Sequence, residues 1–246
     1  MAAEPRTILV ATSDWSLLRL FARVFELDGD RVFTAKTGQQ ILTQLEASTP
    51  DLLVLDLDLS LQRLDGFIVC QRIRQVSYVP ILLIAALWQD RKLARGLELG
   101  ADDYVLTPFH VDDLLSCAQA VLRRARWIAH DYPVPRSSLR VGELMLDMAQ
   151  PLVRLADRIV VLTPVEYGLL TCLARQVGSL VRADELLEQV WGAGYARKPL
   201  LLQATITRLR KKLEPDPVHP RFLLAQPGQG YRLADPTGNL MNTRRE

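Results

Sequence analysis

Short apolar runs alternate with amphipathic stretches through the first half of the chain. Ile8-Leu9-Val10, Val32-Phe33, Leu52 to Leu55, Ile81 to Ile84 and Tyr104 to Leu106 read as strands. The segments between them, of about ten to fifteen residues, repeat apolar side chains at helical spacing, as Leu17, Leu18, Phe21 and Phe25 do. Five such β-α units predict an α/β domain with a doubly wound, five-stranded parallel sheet, in which function gathers at the carboxyl ends of the strands. Asp56 stands at such an end, closing the most apolar run in PDLLVLDLDL. It is the first candidate for chemistry; the plain alternative is a helix cap or loop residue.

The pattern changes in the second half. Leu139 to Leu146, Leu152 to Leu155 and Ile159 to Val161 read as strands of a small antiparallel sheet. A helix opens at Leu162-Thr163-Pro164-Val165-Glu166, with Thr163 as N-cap, Pro164 at the first helical position and Glu166 completing a capping box. Gly178 is expected to end it. A second helix is predicted over Arg182 to Trp191 and a third over Pro199 to Leu213, stopped by Pro215 and Pro217. Leu202, Ile206, Leu209 and Leu213 form an apolar stripe on the third helix. At about 100° per residue, Arg208 and Lys211 should point away from that stripe, with Leu200, Leu201, Thr207 and Lys212 beside them and Thr205 on a flank. Arg208, Arg210, Lys211 and Lys212 give this helix four cations and no acid. A basic helix after another helix and before a hairpin fits a winged helix-turn-helix reader of the DNA major groove; a merely solvated basic face is the alternative.

Length and charge agree with two domains. The 246 residues exceed one ordinary domain, and 49% hydrophobic content can bury a sizeable core. Ala125 to Ser138 contains two prolines and two serines and reads as a linker. The expected boundaries are 1–125, a linker at 126–138, 139–234 and a tail at 235–246. Residues 1–125 carry a net charge of −3 and residues 126–246 one of +5, so the second half is the one suited to a polyanion. No apolar run reaches the roughly 18 residues of a membrane span, and MAAEPR has no signal-peptide core, so a cytoplasmic protein is expected, away from membranes. Cys70, Cys117 and Cys172 form no CxxC and read as small apolar residues; His110, His130 and His219 read as structural or solvated.

PDLLVLDLDL, DGFIVCQRIR, GLELGADDY and Pro108-Phe109 resemble the receiver domain of OmpR/PhoB-type response regulators across residues 6 to 124. LTPVEYGLL, LLEQVWG, TRLRKKLEPD and GQGYRL resemble the effector domain of the same family, in order, across residues 139 to 234. The resemblance implies a transcription regulator rather than an enzyme. Its expected partners are promoter DNA with repeated half-sites and a second copy held through the receiver, with RNA polymerase a further candidate. Whether a sensor kinase acts on it is left open, as are the signal and the sign of regulation.

In that family the aspartate matching Asp56 accepts a phosphoryl group. An acidic pair after the first strand holds Mg²⁺, a Lys before Pro-Phe pairs with the phosphate, and a Thr or Ser after the fourth strand transmits the switch. Here the acidic pair falls on Thr12 and Ser13, with Asp14 alone acidic; the Lys falls on Thr107 and the hydroxyl on Ala85. A hard divalent cation gains little from a site without two formal charges. No metal or cofactor is therefore expected, and Asp56 reads as a vestigial acceptor in an atypical receiver. LSLQRLDG, between Asp56 and Gly66, is also about two residues longer than the family's loop. Two alternatives stand: a conventional two-component regulator still phosphorylated at Asp56, and a phosphatase using Asp56-Leu57-Asp58 as a DxD pair. The second needs a downstream Lys and a second acidic cluster to hold Mg²⁺; the later acidic pairs of this half are Asp102-Asp103, which GADDY already explains as part of a receiver, and Asp112-Asp113.

By position, the resemblance places Arg91, Lys92, Arg95, Asp102, Asp103 and Asp113 on the family's dimer interface, with Cys117 where an Arg is usual. A solvated charged face is the plain alternative, and a thiol there would permit a redox-linked dimer. Thr205, Thr207, Arg208 and Arg210 fall where members touch DNA. Arg208 is the expected base reader, since a guanidinium can donate twice to guanine. Arg210, Lys211, Lys212, Trp191, Tyr231 and Arg232 are expected along the DNA backbone. Pro227 replaces a minor-groove Arg of the wing, leaving Gln229 at its tip, and Gln203 and Thr205 replace an acid and a His early in the recognition helix.

Overall fold

The computed structural model describes residues 5–58, 66–86, 90–130, 138–147 and 152–235. The chain divides into two compact units, 1–123 and 124–246.

The first unit is built from β1 (Thr7–Ala11), α1 (Trp15–Leu27), β2 (Arg31–Ala35), α2 (Gly38–Ser48), β3 (Leu52–Asp56), α3 (Gly66–Val76), β4 (Ile81–Ala86), α4 (Asp90–Glu98), β5 (Asp103–Thr107) and α5 (Val111–His130) up to Arg123, where the boundary falls within that helix. All neighbouring strands are parallel, in the order β2-β1-β3-β4-β5. β3 and β4 are buried throughout, which is why their sequences are unbroken apolar runs rather than alternating ones. Leu18, Phe21, Val24 and Phe25 of α1 pack with Leu114, Ala118 and Val121 of α5 on one face of the sheet. β2 departs from β1 in the opposite direction to β3, so the strand order reverses at β1 and a crevice opens beyond the carboxyl ends of β1 and β3. Thr12 and Asp56 meet there.

In the second unit, β6 (Ser138–Val141), β7 (Leu144–Asp147), β8 (Leu152–Leu155) and β9 (Arg158–Val160) form an antiparallel sheet. The run from Leu139 to Leu146 is two strands, not one. It folds back at Gly142, whose φ of 58° a side chain would resist. α6 (Pro164–Ala174) begins as predicted: the Glu166 N–H donates to Thr163 Oγ1 and the Thr163 N–H to Glu166 Oε2. It ends before Gly178, which lies in the following turn and donates its N–H to the Leu233 carbonyl. β10 (Val181–Arg182), α7 (Ala183–Trp191), a 3₁₀ turn at Tyr195–Arg197 and α8 (Pro199–Leu213) follow. β11 (Leu223–Gln226) and β12 (Gly230–Leu233) close a three-stranded sheet in the order β10-β12-β11.

α5 continues to His130, so the first residues of the expected linker are helical. The linker residues 131–137 and the tail from 236 onward lie outside the described residues, as does most of the LSLQRLDG loop.

Candidate functional site

In the first unit, Asp56 is 9% exposed at the end of β3, and both of its carboxylate oxygens accept hydrogen bonds from the same chain. Thr12 Oγ1 donates to Oδ2 at 2.7 Å, and the Asp58 N–H donates to Oδ1 at 2.9 Å. Burial pushes the Asp56 carboxyl above its ordinary value; the bonds from Thr12 and Asp58 pull it down, and the charges of Asp58 and Asp14 push it up again. Asp14 is turned to another task. As N-cap of α1 it accepts from the Ser16 and Leu17 N–H groups. Ser13 is exposed, Ala85 is buried with no hydroxyl to offer, and Thr107 Oγ1 turns to the Ala85 carbonyl at 3.4 Å. Thr12 spends its proton on Asp56 and Asp14 caps a helix, so these residues do not fit a Mg²⁺ site. Among the described residues, no three His, Cys, Asp or Glu side chains converge as metal ligands. One cation that sequence reasoning did not place here is Lys92, whose Nζ lies 3.2 Å from Asp58 Oδ1 at the exposed rim. An ion pair from α4 to the loop after β3 leaves no signal in sequence spacing.

The expected interface charges divide. Arg91, Lys92, Arg95 and Asp113 are exposed, and Arg95 also stacks over Phe67 at 4.8 Å. Asp102 and Asp103 are not surface charges: they are 2% and 0% exposed. Asp102 accepts from Arg74 and from the Ile81 N–H, each at 2.9 Å, tying the end of α3 to the start of β4, while Asp103 accepts from the Tyr104 N–H. Cys117 is half-buried and packs against the core.

In the second unit, α8 runs from Pro199 to Leu213 as predicted, but its buried arc is wider than the apolar stripe. Leu201, Thr205 and Arg208 are buried with Leu202, Ile206, Leu209 and Leu213. Arg208, expected to point outward, is 5% exposed and turns to α6, its Nε 3.2 Å from Glu166 Oε1. Lys212 reaches the same carboxylate at 2.6 Å. Burial pushes the Glu166 carboxyl up, but the charges of Arg208 and Lys212, with hydrogen bonds from Lys212 and the Thr163 N–H, bring it below its ordinary value. A buried carboxylate needs such partners, and it draws Arg208 inward. Thr205 back-bonds to the Leu201 carbonyl at 2.8 Å and Trp191 is 1% exposed, so neither presents its side chain outward. The outward face of α8 instead carries Gln203 and Lys211, with Thr207 partly exposed.

The hairpin of β11 and β12 is fastened to α8. Arg210 donates through Nε and Nη2 to the Leu223 carbonyl, at 3.1 and 2.8 Å. Glu214, 7% exposed, accepts from the N–H groups of Arg221, Phe222 and Leu223. Sequence reasoning missed this Glu as a structural anchor. Gln229 and Arg232 are exposed and Tyr231 is half-buried. A groove of about 690 Å³ beside the hairpin is lined by Arg210, His219, Pro227 and Arg232 among others, and so offers cations on one side of the wing. His219 pairs with Asp216 at 2.7 Å.

A parallel sheet with an aspartate at its switch point, followed by a winged helix-turn-helix, has relatives. Residues 8–119 match the response regulator receiver domain and residues 157–233 match the C-terminal domain of transcriptional regulatory proteins. The chain is 35% identical over 234 residues to the probable transcriptional regulator ycf27 of Porphyra purpurea, covering 94% of this chain and 96% of that one. It is 35% identical over 229 residues to the DNA-binding response regulator MtrA of Mycolicibacterium smegmatis, covering 93% and 97%. It is 32% identical over 225 residues to the KDP operon transcriptional regulatory protein KdpE of Escherichia coli, covering 92% and 97%. The chain belongs to the OmpR/PhoB-type response regulators. A solved structure of a RitR mutant superposes on this regulator with a TM-score of 0.72 at 21% identity, covering 93% of this chain and 98% of that one, and so shares its fold. As a member of the family the protein is a DNA-binding transcriptional response regulator, and its relatives are regulators rather than enzymes. No described helix is long and apolar enough to cross a membrane.

Proposed function

We propose that this regulator binds promoter repeats as a receiver-mediated dimer without needing phosphorylation at Asp56. The observation that carries the reading is the capture of both Asp56 oxygens by Thr12 and the Asp58 N–H, in a pocket where Asp14 caps a helix and Thr107 stands in place of a cation. Phosphoryl transfer depends on positive charge aimed at the transferring group. Among the described residues no cation pairs with Asp56, and Lys92 pairs with Asp58 instead. The exposed Arg91, Arg95 and Asp113, together with Lys92, which already pairs with Asp58, are the groups proposed to meet their counterparts across a two-fold axis, with Cys117 one turn from Asp113 on α5.

On the DNA side, the exposed Lys211, Gln229 and Arg232 and the partly exposed Thr207, Arg210, Lys212 and Tyr231 are the proposed contacts. Arg208, Thr205 and Trp191 act from beneath, by holding α8 in place. RNA polymerase is a candidate further partner.

The alternative, a conventional two-component regulator acting through a sensor kinase, has one observation on its side. Lys92 stands beside Asp58, two residues from the acceptor, and supplies a cation at the rim of the pocket.

The experiment compares DNA affinity of wild type, Asp56→Ala, and wild type treated with a small phosphodonor and Mg²⁺, on genomic fragments. Equal affinity for the same sites supports phosphate-independent binding. Tighter binding by treated wild type alone would replace it with the conventional reading.

A further inference from the structure

With Arg208 turned inward, the side chains that α8 can offer to a base are few. Gln203, Thr207 and Lys211 follow one another at intervals of four residues on the outward face, beside the half-buried Leu200. Thr207 has already used its hydroxyl proton, donating to the Gln203 carbonyl at 2.9 Å. It keeps an acceptor and a methyl group. Arg210, a guanidinium at the edge of this face, is held by the Leu223 carbonyl. Gln203 is exposed, and its carboxamide has no partner among the described residues.

A carboxamide presents an acceptor beside a donor. In the major groove that pair is matched by adenine, which shows an N6 donor beside its N7 acceptor; guanine shows two acceptors and cytosine a donor alone. Lys211, two turns further along the same face, is a flexible point charge suited to a phosphate or a purine edge. We propose that Gln203 is the specificity-determining residue of α8, reading adenine through its major-groove edge, while Thr207 and Leu200 give apolar contact to thymine methyls nearby. The inference rests on the reading that α8 enters the major groove. It assigns base choice to a residue that the buried Glu166–Arg208 pair leaves as the best-placed reader.

The test is repeated selection from random duplexes with full-length wild type, Gln203→Ala and Gln203→Glu, each first shown to unfold at the same denaturant midpoint as wild type. Wild type should enrich adenine at one position of each half-site, by on the order of ten- to a hundredfold over the other bases. Gln203→Ala should lose that preference while keeping the rest of the site. Gln203→Glu should move it toward cytosine, whose N4 donates to a carboxylate. Identical selected sites for wild type and Gln203→Ala would overturn the assignment while leaving DNA recognition by α8 standing. Failure of wild type to enrich any sequence would overturn both.

Discussion

The guanidinium of Arg208 and the carboxylate of Glu166 meet 3.2 Å apart in the interior of the DNA-binding domain, with side chains 6% and 1% exposed. This contact joins the first turn of α6 to the middle of α8, and it fixes the rotation of α8 about its own axis. Removing Arg208 leaves Glu166 buried with Lys212 and the Thr163 N–H still on its carboxylate, so the loss is that of one charged contact, about 1.5–3 kcal/mol, below the cost of a wholly uncompensated charge. Arg208→Ala should therefore lower the stability of the full chain by about that amount in urea unfolding, and DNA affinity should fall on specific and random duplexes alike. A loss of affinity confined to specific sites, with stability unchanged, would restore Arg208 as a base reader.

The same pair gives a pH dependence whose sign is fixed. Glu166 has a lowered value in the folded protein, so its contribution to stability is present above the ordinary carboxylate range and is lost as the pH falls through the lowered folded value. The stability difference between wild type and Glu166→Gln should be large at pH 7 and shrink progressively below about pH 4. Unfolding curves of both proteins at pH 7, 5 and 3.5 check this. A constant difference would mean that Glu166 acts only as a capping group.

Asp56 predicts the opposite trend. Its value is raised in the folded state, so the folded protein is favoured relative to the unfolded one below the ordinary Asp value, and that advantage is lost as the pH rises through the raised value. Asp56→Asn keeps an acceptor for the Asp58 N–H and lets Thr12 accept instead of donate. It should be more stable than wild type at pH 7, with the gap closing toward pH 3. Destabilisation by the Asn at neutral pH would show that the charged carboxylate is held by more than the two bonds seen.

Much of this was legible in the sequence, because the strands of the receiver are buried on both faces and write themselves as apolar runs, and because Thr163, Pro164 and Glu166 form a local start signal. The turn at Gly142 was missed because apolar residues continue on both sides of it. The error at Arg208 has a different cause. A helical wheel drawn from the leucines assigns a buried arc from apolar residues alone, and it cannot know that a carboxylate lies buried on the facing helix. Glu166 already had a sufficient explanation as a capping-box residue, and this hid its second role. Asp102 was placed on the interface by position in the resemblance alone, and its partners, Arg74 and the Ile81 N–H, are 28 and 21 residues away, too far for any local pattern to show.

The wing should fail at Gly230 before it fails at its tip. A Cβ at this position would run into the Val181 carbonyl and the Cα of Arg182, both backbone groups of β10 that cannot swing aside. Gly230→Ala must therefore separate β12 from β10, whose pairing joins Val181 to Tyr231 and Arg182 to Gly230. Glu214 would still hold Arg221, Phe222 and Leu223, so β11 stays anchored to α8 while its partner strand shifts. Glu214→Ala should do the reverse, releasing buried N–H groups at the start of β11 at a cost on the order of 3 kcal/mol. Amide hydrogen exchange on the two variants distinguishes them. Protection should drop first in residues 181–182 and 230–233 for Gly230→Ala, and first in residues 221–224 for Glu214→Ala. Gln229 and Arg232 travel with β12, so Gly230→Ala should weaken DNA binding more than Gln229→Ala does; equal losses would mean that the wing contributes only through its tip.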